Sequence, residues 1–247
     1  MSLRSAPDLD RFDPASDYGY VFTRSKTTAS LPDLIQQLQG PAEIRPRLFP
    51  VPDGVAEVLP DHGLRRGSSY ALDTPGFLLL ALLAEPSRDG AWCGVVGIPE
   101  LGAEAAREAG VAIERLVLVP DPGRRWLSVV AALAEVLGVI AVRPAGAVNP
   151  ADVNRLASRL RDRETTLLVV GQWPRAEATL RVDSVRWSGV GMGHGHLEGR
   201  EVMLSVTSKR NPMPRTTRLL LPGPEGRIAA LGMGEKVPVS RQLRAVG

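Results

Sequence analysis

From Gly63 to Trp173 the chain alternates short apolar runs with helix-forming stretches, and this alternation restricts the possible folds more than any other feature. The runs fall at 69–72, 93–98, 116–119, 139–142 and 167–170, and Val, Leu, Ile and Ala dominate them. A strand with one wet face alternates apolar with polar side chains, whereas a strand that is apolar throughout is covered on both faces. Between the runs lie 76–85, 103–109, 125–137 and 150–163. In the third of these, Trp126, Val130, Leu133 and Leu137 share one helical face. The fourth carries a start signal, with Asn149 as cap, Pro150 at the first helical position and Asp152 at the third. Strand and helix in regular turn predict an α/β fold, a mostly parallel sheet flanked by helices.

After Trp173 the helical pattern stops. Residues 180–187, 201–207 and 216–221 read as strands joined by Gly- or Pro-rich turns, which predicts an antiparallel C-terminal hairpin extension of the sheet. Ahead of the alternating region, residues 1–17 are rich in Asp, Pro and Ser without periodicity and are expected to be disordered. A short helix is expected at 31–39, capped by Ser30 and with Leu34, Ile35 and Leu38 as its apolar stripe. Pro41, Pro46, Pro50 and Pro52 then mark a linker that cannot be helical. The organisation read from the sequence is an N-terminal extension (1–52), one core domain (53–223) and a C-terminal extension (224–247), in keeping with a chain of 247 residues.

Composition removes several classes of function. Apolar residues make up 44% of the chain and aromatics only 4%, so the core must be built from Leu, Val and Ala. Cys93, the single cysteine, cannot close an internal disulfide. His194 and His196 would share a face of a strand, but two histidines without a third ligand make no metal site. Their surroundings, GVGMGHGHLEG at 189–199, read as a hairpin turn and lack the strand-to-helix setting of a dinucleotide fingerprint. The longest apolar run, 77–84, is far short of the roughly 20 residues that span a bilayer, and the first residues hold no apolar signal segment. A soluble cytoplasmic protein with no cofactor and no metal is the expectation.

Charge is unevenly spread. Residues 1–150 carry 14 Lys and Arg against 18 Asp and Glu, whereas residues 151–247 carry 16 against 9. The basic end is the candidate surface for a polyanion or an acidic partner. Arginine supplies nearly all of this charge and suits bidentate contacts to phosphate or carboxylate, although a high-GC genome also favours arginine codons.

Five separated stretches, in order, resemble the RecA superfamily. GLRRGSSYALDTPGFLLLALLAE (63–85) is similar to the RecA region where a Gly-Leu-x-x-Gly turn leads through a strand and the phosphate-binding loop into a helix. REAGVAIERLVLVPDP (107–122) resembles the next helix and strand. GVIAVRP and TLLVVGQWP stand where RecA has the strand ending in the Walker B aspartate and the strand ending in its sensor glutamine. LEGREVMLSVTSKRNPMPRTTRLLLPG resembles the RecA hairpin with a basic tip. The resemblance spans about residues 55–223 and implies a RecA-like core.

Departures from that pattern imply lost catalysis. A working phosphate loop needs glycine-rich backbone N–H groups, a lysine and a magnesium-binding hydroxyl. The corresponding piece here is Thr74, Pro75, Gly76, Phe77 and Leu78, shorter, with Phe77 at the lysine position and Leu78 at the hydroxyl position. Phe77 is expected to be part of the core. Arg143 takes the Walker B position, where it would repel a metal. Glu100 lies close to, but not at, the place of the catalytic glutamate, and Gln172 matches the sensor glutamine. The connections at 144–149 and 172–178 are too short for RecA's DNA-gripping loops. Lys209 and Arg210 keep a basic hairpin tip, followed by Arg215 and Arg218, and these four are candidates for DNA or protomer contact, with a solvated basic turn as the alternative.

RecA homologues without the loop lysine are typical of the accessory proteins of actinobacterial damage-induced mutagenesis, and the chain looks most like their ImuA-prime type. That resemblance implies a non-catalytic role in SOS translesion synthesis. The partners it implies are an inactive Y-family polymerase homologue (ImuB-like) and an error-prone replicative polymerase, with RecA, self-association or single-stranded DNA as further partners. Two other functions fit the same residues less well: a SulA-like cell-division inhibitor, and an NTP-binding protein with an altered phosphate site. In the C-terminal extension, Val237, Val239, Arg241, Leu243 and Arg244 are candidates for partner docking. Residues 228–233 read equally well as one more edge strand.

Overall fold

The computed structural model of the chain describes residues 48–73, 76–188, 199–221 and 228–231. The expectations for 1–17 and 31–39, for Thr74 and Pro75, for the turn with His194 and His196, and for Val237, Val239, Arg241, Leu243 and Arg244 lie outside these residues.

Among the described residues the fold is a three-layer α/β arrangement around one nine-stranded sheet. In chain order its strands are β3 (Ser69–Leu72), β4 (Cys93–Val96), β5 (Leu116–Val119), β6 (Val139–Val142), β7 (Thr166–Val170), β8 (Ala178–Ser188), β9 (Gly199–Ser208), β10 (Arg215–Leu220) and β11 (Ala229–Leu231). Across the sheet they run β11-β10-β9-β8-β3-β7-β6-β4-β5. The six strands from β3 to β8 are parallel, and β9, β10 and β11 add on by antiparallel pairing. A mostly parallel sheet with an antiparallel hairpin at its C-terminal end is therefore present, and β11 realises the edge-strand reading of 228–233.

Helices cover both faces: α1 (Asp53–Ala56), α2 (Phe77–Arg88), α3 (Ala103–Glu108), α4 (Trp126–Leu133) and α5 (Pro150–Asp162). Their sides follow from the strand order. From β3 to β4 to β5 the chain moves outward, and from β5 to β6 to β7 it returns. Right-handed crossovers then put the outward helices on one face and the returning helices on the other. Two hydrophobic layers result. One holds Leu79, Leu82 and Leu83 of α2 and Ala106 of α3. The other holds Trp126, Val130 and Leu133 of α4 with Val153, Leu156 and Leu160 of α5. Successive strand residues divide between them, Val139 and Ala141 to the first, Ile140 and Val142 to the second. This is the physical meaning of the uninterrupted apolar runs.

Local signals account for individual elements. Asn149 Oδ1 accepts from the Ala151 N–H at 2.9 Å, with Pro150 in the first turn and Asp152 close behind. A cap of this kind is worth about 1 kcal/mol. Helix α2 is buried on almost its whole circumference, from Leu78 to Ala84, as a helix without a polar face must be. Trp126 and Leu137 are both buried, but regular helix ends at Leu133 and the chain reaches Leu137 through tighter turns.

One part of the core lies where the prolines suggested a linker. Strand β1 (Leu48–Phe49) pairs antiparallel with β2 (Leu64–Arg65), and Phe49 and Val51 are buried in the first layer. Packing thus extends to the N-terminal side of residue 53.

Candidate functional site at the carboxyl ends of the parallel strands

In open α/β sheets, ligands bind outside the carboxyl ends of the strands, where neighbouring strands send their connections to opposite faces. Strands β4 and β6 are such neighbours here, since the chain leaves β4 towards α3 on one face and leaves β6 towards α5 on the other. Arg143 follows β6 and Glu100 follows the turn after β4. Their side chains meet, Arg143 Nη2 to Glu100 Oε1 at 2.5 Å. The Arg143 guanidinium, by hydrogen bonding, holds the Glu100 carboxyl below its ordinary pKa. Gly97, with φ of 71°, lets this turn lie against the Arg143 backbone, because a Cβ there would stand 2.8 Å from the Arg143 carbonyl oxygen. The pair sits across the switch point with its charges mutually satisfied.

The adjacent ends carry the remaining residues. Gly76, with φ of 110°, opens α2, and no side chain caps it. Leu78, expected from the sequence at the hydroxyl position of a phosphate loop, is buried. Phe77 is only half-buried and packs against the first layer rather than within it, because the first residue of α2 points partly to solvent. Its expected place in the core is met only in part. Phe77→Lys should therefore cost about 1 to 2 kcal/mol, less than a fully buried phenylalanine would. It should also leave ATP hydrolysis undetectable. A melting temperature lowered by a few degrees with no turnover is the expected result, and turnover in this variant would contradict the reading.

Gln172 is exposed just beyond β7, after Gly171, whose N–H donates to the Leu72 carbonyl at 2.8 Å and ties this end of β7 to β3. The fold thus brings Gln172 and Gly76 to the ends of neighbouring strands, and it brings Arg143 to Glu100. Two residues that sequence reasoning passed over also meet here. Asp73, directly after β3, lies 3.6 Å from Arg181 of β8, which is also 3.2 Å from Asp183. Among the described residues no group of three or more His, Cys, Asp and Glu side chains could hold a metal ion.

The four basic hairpin residues do not form one surface. Lys209 Nζ donates to the Arg175 carbonyl at 2.8 Å. Arg210 bridges Asp61 at 3.0 Å and Glu177 at 3.5 Å. Arg215 donates to the Glu57 carbonyl at 2.6 Å. Arg218 reaches Glu201 of the adjacent strand at 2.6 Å, where both are largely buried. Arg210 and Arg215 tie the exposed hairpin tip to the segment around α1. Nothing in the sequence marks Asp61 or Glu57 as its partners.

Fold and site together define an α/β protein with an arginine–glutamate pair at the carboxyl ends of its parallel strands. Residues 57–175, just under half of the chain, match the family described as the MT3502 N-terminal domain. Over 98 residues the chain is 34% identical to the uncharacterized protein Rv3395c of Mycobacterium tuberculosis. The matched segment is 39% of this chain and 48% of that protein, so the chain spans about half the length of the curated relative it matches.

Proposed function

We propose that the protein is a non-catalytic RecA-fold accessory factor of damage-induced translesion synthesis, of the ImuA-prime type, that scaffolds error-prone polymerase components. The observation that carries the non-catalytic part is the Arg143–Glu100 pair at the switch point. A nucleotide-hydrolysing site needs a carboxylate free to hold magnesium and cations facing the phosphates. Here a cation stands in the carboxylate's place, and the nearby carboxylate is engaged in neutralising it. Phe77, half-exposed, and Leu78, buried, put apolar side chains where a lysine and a hydroxyl would be required. The order of the parts, a parallel core followed by an antiparallel C-terminal hairpin, supports the RecA-like assignment.

An affinity purification of the tagged full-length chain from DNA-damaged cells of its own host tests the role. The expected result is co-purification of a Y-family polymerase homologue and a replicative polymerase, identified by mass spectrometry and absent from undamaged cells. Recovery of a tubulin-like division protein, or of neither class, would overturn the reading.

A further inference from the structure

The amino ends of the parallel strands, opposite the Arg143–Glu100 pair, hold a concave surface. A cavity of about 760 Å³ is lined by Leu48, Arg65, Arg66 and Arg161 together with Asp61 and Glu164. A neighbouring cavity of about 260 Å³ is lined by Arg161, Arg175 and Lys209, the Ser68 and Ser69 segment, Trp173, Pro174 and Glu177, among others. The two share Arg161. They adjoin because Gly67, with φ of 74°, seats its loop directly on the end of α5, where a Cβ would stand 2.9 Å from the Arg161 Cα. With Arg210, which bridges Asp61 and Glu177, six cationic side chains surround three carboxylates.

The balance of charge is not satisfied internally. Asp61 is taken up by Arg65 at 2.9 Å and by Arg210, and Glu177 by Arg210. Among the described residues Arg161 reaches only the Ser158 hydroxyl and Lys209 only a backbone carbonyl. Among the described residues no carboxylate lies within ion-pair distance of Arg161, Arg175 or Lys209. Arg175 is moreover held in the left-handed backbone region, φ 67°, a conformation that costs of order 1 kcal/mol for a non-glycine residue and clusters at functional positions.

We infer that this surface docks an acidic, extended peptide segment of a partner protein, its carboxylates spaced to meet Arg161, Arg175 and Lys209. Two observations, beside the carboxylates this surface already binds, favour a peptide over a nucleic-acid strand. Asp61, Glu164 and Glu177 interrupt the cations, which repels a phosphate at every residue but admits carboxylates at intervals. The guanidiniums of this surface already take carboxylates, in Arg65–Asp61 and Arg210–Glu177. Finally, Trp173 is the aromatic of the smaller cavity, and it is buried edge-on against Trp126 at 6.5 Å, so it offers bases no stacking platform. The inference does not depend on a role in translesion synthesis, because it rests on a different end of the sheet.

Fluorescence anisotropy on the purified full-length protein tests it, with two labelled probes of equal length: a peptide of alternating glutamate and glycine, and an oligothymidylate. The peptide should bind at low salt, weaken as salt is raised, and lose at least about tenfold in affinity, near 1.4 kcal/mol, in Arg161→Glu/Lys209→Glu. Circular dichroism melting confirms that this variant is folded, and Arg161→Gln/Lys209→Gln should lose affinity in the same direction if the larger change unfolds the protein. Tighter binding of the oligothymidylate with the same sensitivity to these substitutions would overturn the peptide assignment in favour of nucleic acid. Absence of binding by both probes would overturn it altogether. Peptide binding that emerges only when Asp8, Asp10, Asp13 and Asp17 are changed to Asn would make the chain's own N-terminal segment the occupant instead.

Discussion

Above pH 9 the folded state should lose about 1.4 kcal/mol of stability per pH unit to Cys93 alone, so that by pH 12 a large share of its stability is gone. Cys93 opens β4 with no solvent exposure, its Sγ 3.7 Å from the Leu83 carbonyl and 3.9 Å from that of Ala91. Burial pushes its thiol from an ordinary 9.0 up to about 12. Tyr70 in β3 behaves likewise: burial raises its phenol from 10.0 to about 12, against the opposing effect of the Arg65 N–H, which donates to its oxygen at 2.8 Å. In the unfolded chain both groups ionise at their ordinary values, while the folded chain keeps both protons. Stability from this source is therefore complete below about pH 9 and lost as pH rises towards 12, roughly 4 kcal/mol through Cys93 and roughly 3 through Tyr70. Total stabilities of domains are about 5 to 15 kcal/mol. Urea midpoints between pH 8 and pH 11.5, measured for the wild type, Cys93→Ala and Tyr70→Phe, check this. Each variant should show a shallower alkaline decline than the wild type, whatever its stability at neutral pH. Parallel declines in all three proteins would refute the assignment.

Phe49→Ala should destabilise the protein by about 3 to 5 kcal/mol, the cost of truncating a fully buried aromatic. Phe49 has no solvent exposure, and the Arg66 guanidinium lies over its ring, 3.8 Å from the centroid. On the other side the ring edge packs so closely on Gly138 that a Cβ there would stand 2.9 Å from Phe49 Cζ. Pairing of Phe49 with Leu64 holds the ring in place. The neighbouring Pro50 is exposed, and Pro50→Ala should change stability by no more than about 0.5 kcal/mol. Thermal or urea unfolding distinguishes the two variants directly. Equal, small effects would mean that residues 48–52 act as a tether rather than as core.

These residues mark the boundary between what was legible in the sequence and what was not. Apolar runs on both sides of helix-forming stretches encode a two-sided parallel sheet because side-chain direction repeats with a local period, two in a strand and 3.6 in a helix. The cap at Asn149 and the apolar face of α4, with Trp126, Val130 and Leu133 buried together, are local in the same sense and appear as expected. Phe49 is different. Its neighbours Pro46, Pro50 and Pro52 report only that the backbone cannot be helical, which is as true of a short strand packed on the core as of a linker. Its burial comes from pairing with Leu64 and from space left at Gly138.

Identity of the residues at the strand ends was readable one by one, their partners were not. Arg143 and Gln172 stand at the ends of strands that the sequence outlines, and Phe77 and Leu78 open a helix that it also outlines. That Arg143 meets Glu100 follows from β6 inserting beside β4, a pairing between segments far apart in the chain. The same holds for Arg210 with Asp61, which require the hairpin to fold back over the segment near α1. The sequence alone determined where the strands and helices of the alternating region lie and which of their faces are apolar, because these depend on neighbouring residues. Only the tertiary structure decided which charges neutralise one another and which are left facing a cavity, since Coulomb and hydrogen-bond energies depend on distances that strand order, not sequence order, sets.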